Sequence, residues 1–185
     1  YDDVYRLKNE VYSEFNIEGN PIDKFMKLVI DVQPTQVTLV PDEVDAITSN
    51  SGWNTIEYKN MLKDIINELK SYGIRTSIFL DPETKYIDSL VEINPDRIEL
   101  YTEEFAKEFL IGNFSIIEKY KVCADKISKE GIGINAGHDL SLKNIKYFAN
   151  KIENLLEVSI GHALISESLH IGLEKTIKKY LHFLS

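Results

Sequence analysis

The sequence alternates short apolar segments, rich in β-branched residues, with amphipathic helical segments along its whole length. Strands are predicted at residues 15–18, 36–40, 75–80, 97–101, 131–136 and 158–160, and a helical segment follows each of them. Strict alternation of this kind is typical of an α/β fold in which helices cover a parallel sheet. A G-x-G-x-x-G fingerprint follows none of these strands, which weakens the case for a dinucleotide-binding sheet. Both a closed barrel and an open, doubly wound sheet fit the alternation, and the missing fingerprint favours the barrel.

A closed barrel sets a definite number of strand–helix units. A (β/α)8 TIM barrel needs eight units and usually roughly 200–250 residues. The 185 residues supply six units, preceded by a helical segment that starts abruptly at Tyr1. We therefore expect residues 1–185 to be a single domain, formed by the C-terminal six β/α units of a TIM barrel whose first two units lie before Tyr1.

Charge and composition exclude several classes of partner. The chain has 21 Lys and Arg against 30 Asp and Glu, a formal net charge of −9, which argues against nucleic acid and anionic membranes. No apolar run approaches the roughly 18 residues of a membrane span. The single cysteine, Cys123, excludes an internal disulfide and a cysteine-based zinc site. We expect a soluble, cytoplasmic protein.

Titratable residues collect where the predicted strands end, which is where parallel α/β folds bind their ligands. Glu18 ends the first strand and His138 follows the fifth. Glu99 lies inside the fourth strand and should point away from the face of its neighbours Ile98 and Leu100. In a barrel that direction is inward, so Glu99 is either functional or part of a buried ion pair. Carboxylates and an imidazole at one mouth suit general acid–base chemistry.

Glycine precedes histidine at the ends of the last two predicted strands, in Gly137-His138 and in Gly161-His162. Glycine lets the backbone approach an anion closely, and the last two loops of a barrel often bind phosphate. Backbone N–H groups at the start of the next helix would complete such a site. These two segments predict a phosphorylated ligand.

Several motifs occur together in an order that resembles the pyridoxine 5'-phosphate synthase family of vitamin B6 biosynthesis. The matching segments cover essentially the whole chain, and the two that contain Gly-His are the most specific. They are Asn16-Ile17-Glu18, Leu39-Val40-Pro41 with Thr48, Ser77-Ile78-Phe79-Leu80-Asp81, Ile98-Glu99 with Thr102, Asn135-Ala136-Gly137-His138, and Ile160-Gly161-His162-Ala163.

The resemblance implies a TIM barrel that condenses 1-deoxy-D-xylulose 5-phosphate with 3-amino-2-oxopropyl phosphate. The products are pyridoxine 5'-phosphate, inorganic phosphate and water. It implies no metal and no organic cofactor, small phosphorylated substrates as the ligands, and a homo-oligomer, in this family an octamer.

The resemblance also implies roles for individual residues. Glu18 matches a general base, His138 a general acid, and Glu99 a carboxylate that stabilises developing charge. Thr48 matches a contact to the deoxyxylulose phosphate. The positions that match the site of the aminoketone phosphate are Asp139, Gly161 and His162.

One departure from the family pattern falls in this set, because the family usually has glycine where this chain has Asp139. A phosphate bound through the backbone N–H of that residue would tolerate the change, whereas a carboxylate aimed at the phosphate would not. Two other functions stay open. One is another phosphate-binding barrel, an isomerase or an aldolase, although no strand ends in a Schiff-base lysine. The other is a non-catalytic or truncated barrel that binds phosphorylated metabolites.

Overall fold

A computed structural model describes residues 1–42 and 49–185. The chain forms two compact units, one of residues 1–80 with 85–99 and the other of residues 81–84 with 100–185. The division falls inside the strand Arg97–Tyr101, between Glu99 and Leu100. Both units alternate parallel strands with helices, as the sequence pattern predicts. The closed eight-unit barrel and the single domain stay predictions.

Unit 1 contains the first helices and strands of the chain. In chain order they are α1 (Asp2–Leu7), β1 (Asn16–Gly19), α2 (Asp23–Val32), β2 (Gln36–Leu39), α3 (Lys59–Ser71), β3 (Arg75–Leu80), α4 (Ile87–Ile93) and most of β4 (Arg97–Tyr101). The strands lie side by side in the order β1, β2, β3, β4, and the pairs β1–β2 and β2–β3 are parallel.

The register of unit 1 separates polar from apolar side chains. Strand side chains alternate between the two faces of a sheet, so residues paired across parallel strands share a face. One face carries polar residues in two rows, which are Asn16, Gln36, Arg75 and then Glu18, Thr38, Ser77. The other face carries Ile17, Val37 and Ile78 among the buried apolar residues. Gln36, Thr38 and Ser77 on this polar face are buried, and buried polar groups need partners, whereas Glu18 is exposed.

Asp96 joins the start of β4 to the start of β3. Its Oδ2 atom accepts hydrogen bonds from the backbone N–H of Thr76 at 2.8 Å and from the Thr76 hydroxyl at 2.7 Å. Its Oδ1 atom lies 3.1 Å from the Lys70 ammonium. Partial burial opposes ionisation of the carboxyl, but the hydrogen bonds from Thr76 and Lys70 outweigh it and lower the pKa of Asp96 below its ordinary value of 3.8.

We expect Asp96→Asn to destabilise the protein in a pH-dependent way. Because the pKa of Asp96 is lower in the folded state, its charge adds stability above the unfolded pKa, and this stability is lost as the pH falls through the folded value. The difference in free energy of unfolding between the two proteins should be fully present above about pH 5 and shrink below that. Urea titrations at several pH values measure it. A difference that stays constant with pH would contradict the prediction, and Asp64→Asn on an exposed part of α3 is the charge-matched control.

Unit 2 contains the end of β4 and the remaining elements. In chain order these are α5 (Glu103–Leu110), a 3-10 turn (Phe114–Ile116), α6 (Ile117–Lys129), β5 (Gly133–Gly137), α7 (Ile145–Ala149), β6 (Leu155–Ser159), α8 (His162–Ile171) and α9 (Leu173–Leu184). Strands β5 and β6 are parallel, with a register shift between Ile134 and Asn135. The carboxyl ends of β5 and β6 therefore lie side by side, with Gly137 opposite Ser159.

Aromatic side chains form the core of unit 2 around Phe105, which is fully buried. The Phe105 ring lies 4.9 Å from the ring of Phe148 and 5.9 Å from that of Tyr120. The Tyr120 hydroxyl donates to the Tyr101 carbonyl at 3.0 Å and accepts the Phe105 N–H at 3.2 Å. The cluster thus fixes the start of α5 against α6 and α7. Cys123 on α6 is also fully buried.

Two predicted helix starts are wrong. The pair Asn20-Pro21 predicts a cap and first turn, but α2 begins at Asp23 with Ile22 as its N-cap residue. The Asn20 side chain instead donates to the Asp42 carbonyl at 2.9 Å. Similarly, α7 begins at Ile145 with Asn144, not Ser141, in the N-cap position. The Ser141 hydroxyl accepts the Lys143 N–H at 3.3 Å in the turn before α7, and the Ser141 N–H donates to Asn144 Oδ1 at 2.8 Å.

Candidate active site

The two units divide the predicted site residues between them. Unit 1 holds Glu18 on β1 and Glu99 on β4, with β2 and β3 between these strands. Unit 2 holds His138, Asp139, Gly161 and His162. Thr48 lies outside the described residues, so its predicted contact stays a prediction.

Glu18 is an exposed carboxylate next to a tightly packed glycine. A Cβ atom added at Gly19 would lie 2.3 Å from the buried ring of Phe25, so only glycine fits there without moving the ring. This packing seats the end of β1 on α2 and fixes the backbone that carries Glu18. The carboxylate lines a cavity of about 410 Å³, to which Asn20 and Asp42 also contribute. Glu18 can therefore meet a small molecule directly.

Glu99 is buried, and its predicted inward direction stays a prediction. Its exposed fraction is 1%, and its sequence neighbours Ile98 and Leu100 are fully buried. A carboxylate in such an environment is costly unless other groups interact with it. A buried, fixed carboxylate is suited to stabilising positive charge that develops next to it.

His138 and Asp139 both have left-handed backbone conformations at the end of β5. Their φ angles are 70° and 51°. Non-glycine residues rarely adopt positive φ, but Asp, Asn and His do so more readily than others. A glycine also suits position 139 on these grounds. The turn therefore explains why an aspartate can stand where glycine is usual in the family that the motifs resemble.

Thr102, directly after β4, holds this turn in place. Its hydroxyl is bonded to the carbonyl of Gly137 at 2.9 Å and also to the carbonyl of His138, and its N–H donates to the Gly137 carbonyl at 3.1 Å. Leu140 closes the turn with an N–H bond of 2.7 Å to the His138 carbonyl. Thr102 is fully buried, so these bonds do not compete with bulk water. The backbone that carries His138 is thus rigid.

Two neighbours also fix the ring of His138. The Tyr101 ring packs against it edge to face, with the ring centroids 5.2 Å apart. The Nδ1 atom of His138 lies 2.7 Å from Oδ2 of Asp139. Burial, together with the charge of Glu103, raises the pKa of Tyr101, so its phenol stays protonated. The hydrogen bond from Lys107 in turn lowers the pKa of Glu103.

Gly161 and His162 lie at the start of α8, next to the end of β6. Gly161 is the N-cap residue of this ten-residue helix, and both residues are exposed. A Cβ atom added at Gly161 would meet nothing within 4 Å. His138 N–H reaches the Ser159 carbonyl at 3.4 Å, which brings the end of β5 alongside the segment that leads to Gly161. Unit 2 thus gathers four of the predicted residues at one edge of its sheet.

Unit 2 has a cavity of its own beside this edge, about 470 Å³ in volume. Its lining includes Asp139, Lys107 and Lys143. Glu167 of α8 also lines it, accepting the Leu142 N–H at 3.1 Å and the Tyr180 hydroxyl at 2.5 Å. Burial and the bond to Glu167 raise the pKa of Tyr180, so this phenol stays protonated and donates. Glu167 therefore ties the loop after β5 to α8 and α9.

Within residues 1–42 and 49–185, no group of three or more His, Cys, Asp or Glu side chains is arranged to hold a metal ion. Across the same residues, no helix is long and apolar enough to cross a membrane.

Comparison with known proteins identifies the family. The sequence model of the family described as "Pyridoxal phosphate biosynthesis protein PdxJ" matches residues 1–185. The chain belongs to this family. A PdxJ relative from Christiangramia forsetii, a pyridoxine 5'-phosphate synthase, is 56% identical over 184 residues, which are 100% of this chain and 78% of the relative. The enzyme of the same name from Flavobacterium johnsoniae is 51% identical over 98% of this chain and 76% of its own length. The resemblance expected from the motifs, and with it the prediction of an enzyme, is confirmed.

Solved structures support the fold of this PdxJ member. Citrate synthase SbnG has a TM-score of 0.54 at 14% identity, over 98% of this chain and 76% of that one. The HpcH/HpaI aldolase from Desulfitobacterium hafniense has a TM-score of 0.56 at 11% identity, with the same coverage. At these identities the likeness shows an α/β fold and nothing about the reaction.

Sequence reasoning missed three residues that organise the site of this PdxJ member. Thr102 and Tyr101 hold the backbone and ring of His138, and Glu167 holds the following loop. Thr102 belongs to one of the matching motifs, and that match and its position directly after a strand were the available signals. The contact between Glu167 and Leu142 spans 25 residues and has no local signature.

Proposed function

We propose that this PdxJ member acts as a pyridoxine 5'-phosphate synthase. It condenses 1-deoxy-D-xylulose 5-phosphate with 3-amino-2-oxopropyl phosphate and releases pyridoxine 5'-phosphate, inorganic phosphate and water. The observation that carries the proposal is the family match over residues 1–185, together with 56% identity to a relative named pyridoxine 5'-phosphate synthase. The titratable groups at the strand ends supply the proton transfers that the reaction needs.

We assign the base, the acid and the charge-stabilising group to Glu18, His138 and Glu99. Imine formation, dehydration and ring closure each move protons between neighbouring carbon and oxygen atoms, and a positioned acid or base speeds such a step by about 10²- to 10⁴-fold. Glu18 is exposed beside a cavity, which suits a base that must reach a substrate proton. The buried carboxylate of Glu99 suits the stabilisation of cationic intermediates such as a protonated imine.

His138 is the group that protonates departing oxygen atoms. Its side chain is 20% exposed, so a substrate can reach the ring, while Thr102 and Tyr101 hold it in one orientation. Loss of inorganic phosphate and of water each requires a proton on the leaving oxygen. An imidazolium can donate that proton and recover it from the next intermediate.

The phosphate groups bind at the ends of β5 and β6 and at Thr48. We propose that the backbone N–H of Asp139, Gly161 and the first turn of α8 hold the phosphate of the aminoketone. The N-terminal N–H groups of a helix have no partners within the helix and lie at its positive end. The exposed His162 adds a polar side chain there. Thr48 contacts the deoxyxylulose phosphate.

Membership of the family also bears on the architecture of the whole protein. We propose that these strand–helix units form part of an eight-unit barrel, that residues 1–185 act as one domain of it, and that the protein is a cytoplasmic homo-octamer. The relatives support the larger barrel, since the matches cover 75–78% of their length. Sedimentation of the intact protein tests the octamer, and a particle much smaller than eight chains would contradict it.

The decisive experiment supplies the intact protein with both phosphorylated substrates and no added metal. We expect pyridoxine 5'-phosphate to form together with one equivalent of inorganic phosphate, and omission of either substrate should abolish both. Glu18→Gln should lose turnover but keep affinity for the substrates, because the amide keeps the shape of the side chain but cannot take a proton. A folded protein that binds both substrates and forms no product would overturn the proposal.

A further inference from the structure

Asp139 contacts the proposed acid through a geometry that the fold imposes. Successive residues of an extended strand point to opposite faces. His138 and Asp139 instead have φ angles of 70° and 51°, and this left-handed turn brings their side chains together. The result is the 2.7 Å approach of Asp139 Oδ2 to His138 Nδ1. This contact depends on the side chain at 139, whereas an anion site made of backbone N–H groups does not.

The surroundings leave the imidazole little freedom to leave this contact. Thr102 and Leu140 bind the carbonyl of His138, which fixes its backbone. Tyr101 packs edge to face on the ring. With the position of the ring fixed, its tautomer can still vary: in the neutral state either of the two nitrogens can carry the proton. A carboxylate beside one nitrogen decides this, because it accepts a hydrogen bond and cannot donate one.

We propose that Asp139 is a positioning residue for His138, whose carboxylate keeps a proton on Nδ1 and so makes Nε2 the nitrogen that exchanges protons with the substrate. The inference rests on the proposed function and extends it. In the acid step, the Nε2–H bond of the imidazolium breaks, a new O–H bond forms on the departing oxygen, and the electron pair stays on Nε2. The neutral ring that remains already has its other proton on Nδ1, held by Asp139.

Two substitutions remove the carboxylate without disturbing the turn. Asp139→Gly and Asp139→Asn both tolerate positive φ, so neither adds backbone strain. We expect both to lower kcat by about 10- to 100-fold, by analogy with the loss seen when the carboxylate partner of a metal-bound histidine is removed. The KM values for both phosphorylated substrates should change by less than about threefold, because the backbone N–H of residue 139 is kept. Asp125→Asn, on an exposed part of α6, is the matched control.

Kinetics alone can overturn the inference in two ways. If kcat stays within about twofold of the unmodified protein in both variants, the carboxylate does not position the acid. If instead KM for a phosphorylated substrate changes by more than about tenfold while kcat is kept, the Asp139 side chain acts on the phosphate and not on His138.

A spectroscopic measurement tests the contact without turnover. Long-range ¹H–¹⁵N correlation of neutral His138 should show the proton on Nδ1 in the unmodified protein and a shift to Nε2 in Asp139→Gly. Neutral His138 with its proton on Nε2 in the unmodified protein would refute the inference. Refutation of the proposed function can be told apart from refutation of this inference, because the unmodified protein would then form no product, whichever nitrogen of His138 carries the proton.

Discussion

His138→Asn is expected to lower kcat by about 10²- to 10⁴-fold, because asparagine cannot donate and recover a proton as imidazolium does. Asparagine adopts the left-handed backbone that residue 138 requires, with φ of 70°, so the turn should survive. KM should stay within about threefold, since the phosphate contacts involve other groups. Steady-state kinetics with both phosphorylated substrates measures the effect.

The control for this variant is His182→Asn, which changes an exposed histidine of α9 and should leave kcat unchanged. Circular dichroism of both variants establishes that they fold. A folded His138→Asn protein with kcat within about threefold of the unmodified enzyme would remove His138 from the mechanism, and the search for the acid would turn to His162.

Phe105→Ala is expected to reduce the free energy of unfolding by about 3–5 kcal/mol. The ring is fully buried and packs edge to face on Phe148 and Tyr120, so its loss leaves a cavity that the surrounding rings cannot fill. Total stabilities of proteins are about 5–15 kcal/mol, so the variant should be marginal. Urea denaturation followed by near-ultraviolet circular dichroism measures the loss.

Phe105→Leu keeps this prediction testable if the alanine variant fails to fold. It should lose less than the alanine variant, because leucine fills most of the space. Phe114→Ala is the matched control at the edge of the same cluster, where the ring is 47% exposed, and we expect a loss below about 1 kcal/mol. Equal losses in Phe105→Ala and Phe114→Ala would contradict the assignment of the core.

The positions of two central strands were predictable because their signal is local, whereas β6 was predicted at 158–160 and lies at Leu155–Ser159. The predicted bounds of β3 and β4 agree with the structure residue for residue, since each has apolar and aromatic residues between turn residues, with Gly73 ahead of β3 and Asp81-Pro82 after it. Helix starts were less predictable. Asn20 has the chemistry of a cap, but its side chain bonds to the carbonyl of Asp42, 22 residues away, and no local pattern reports that contact.

In the candidate site, too, local features were predictable from the sequence and long-range contacts were not. Sequence motifs predicted a function for His138 and its neighbours, because glycine and histidine at strand ends are a local signature. The contact between His138 and Asp139 was not predictable, because it requires two consecutive left-handed residues that are not glycine. The hydroxyl of Thr102, which holds that turn, lies 35 positions from Gly137 in the chain.

The bonds of Glu167 have a consequence for how the protein opens. Its carboxylate binds both the Leu142 amide and the Tyr180 hydroxyl, so the loop after β5 and helix α9 share one anchor on α8. Local opening in proteins occurs in cooperative segments, and amide hydrogen exchange reports each of them. Detachment of α9 would remove a partner of that anchor and loosen the loop with it. The exchange rates of the Leu142 amide and of the amides in the last helix should therefore rise together on heating, which couples the C-terminal helix to the loop that follows His138.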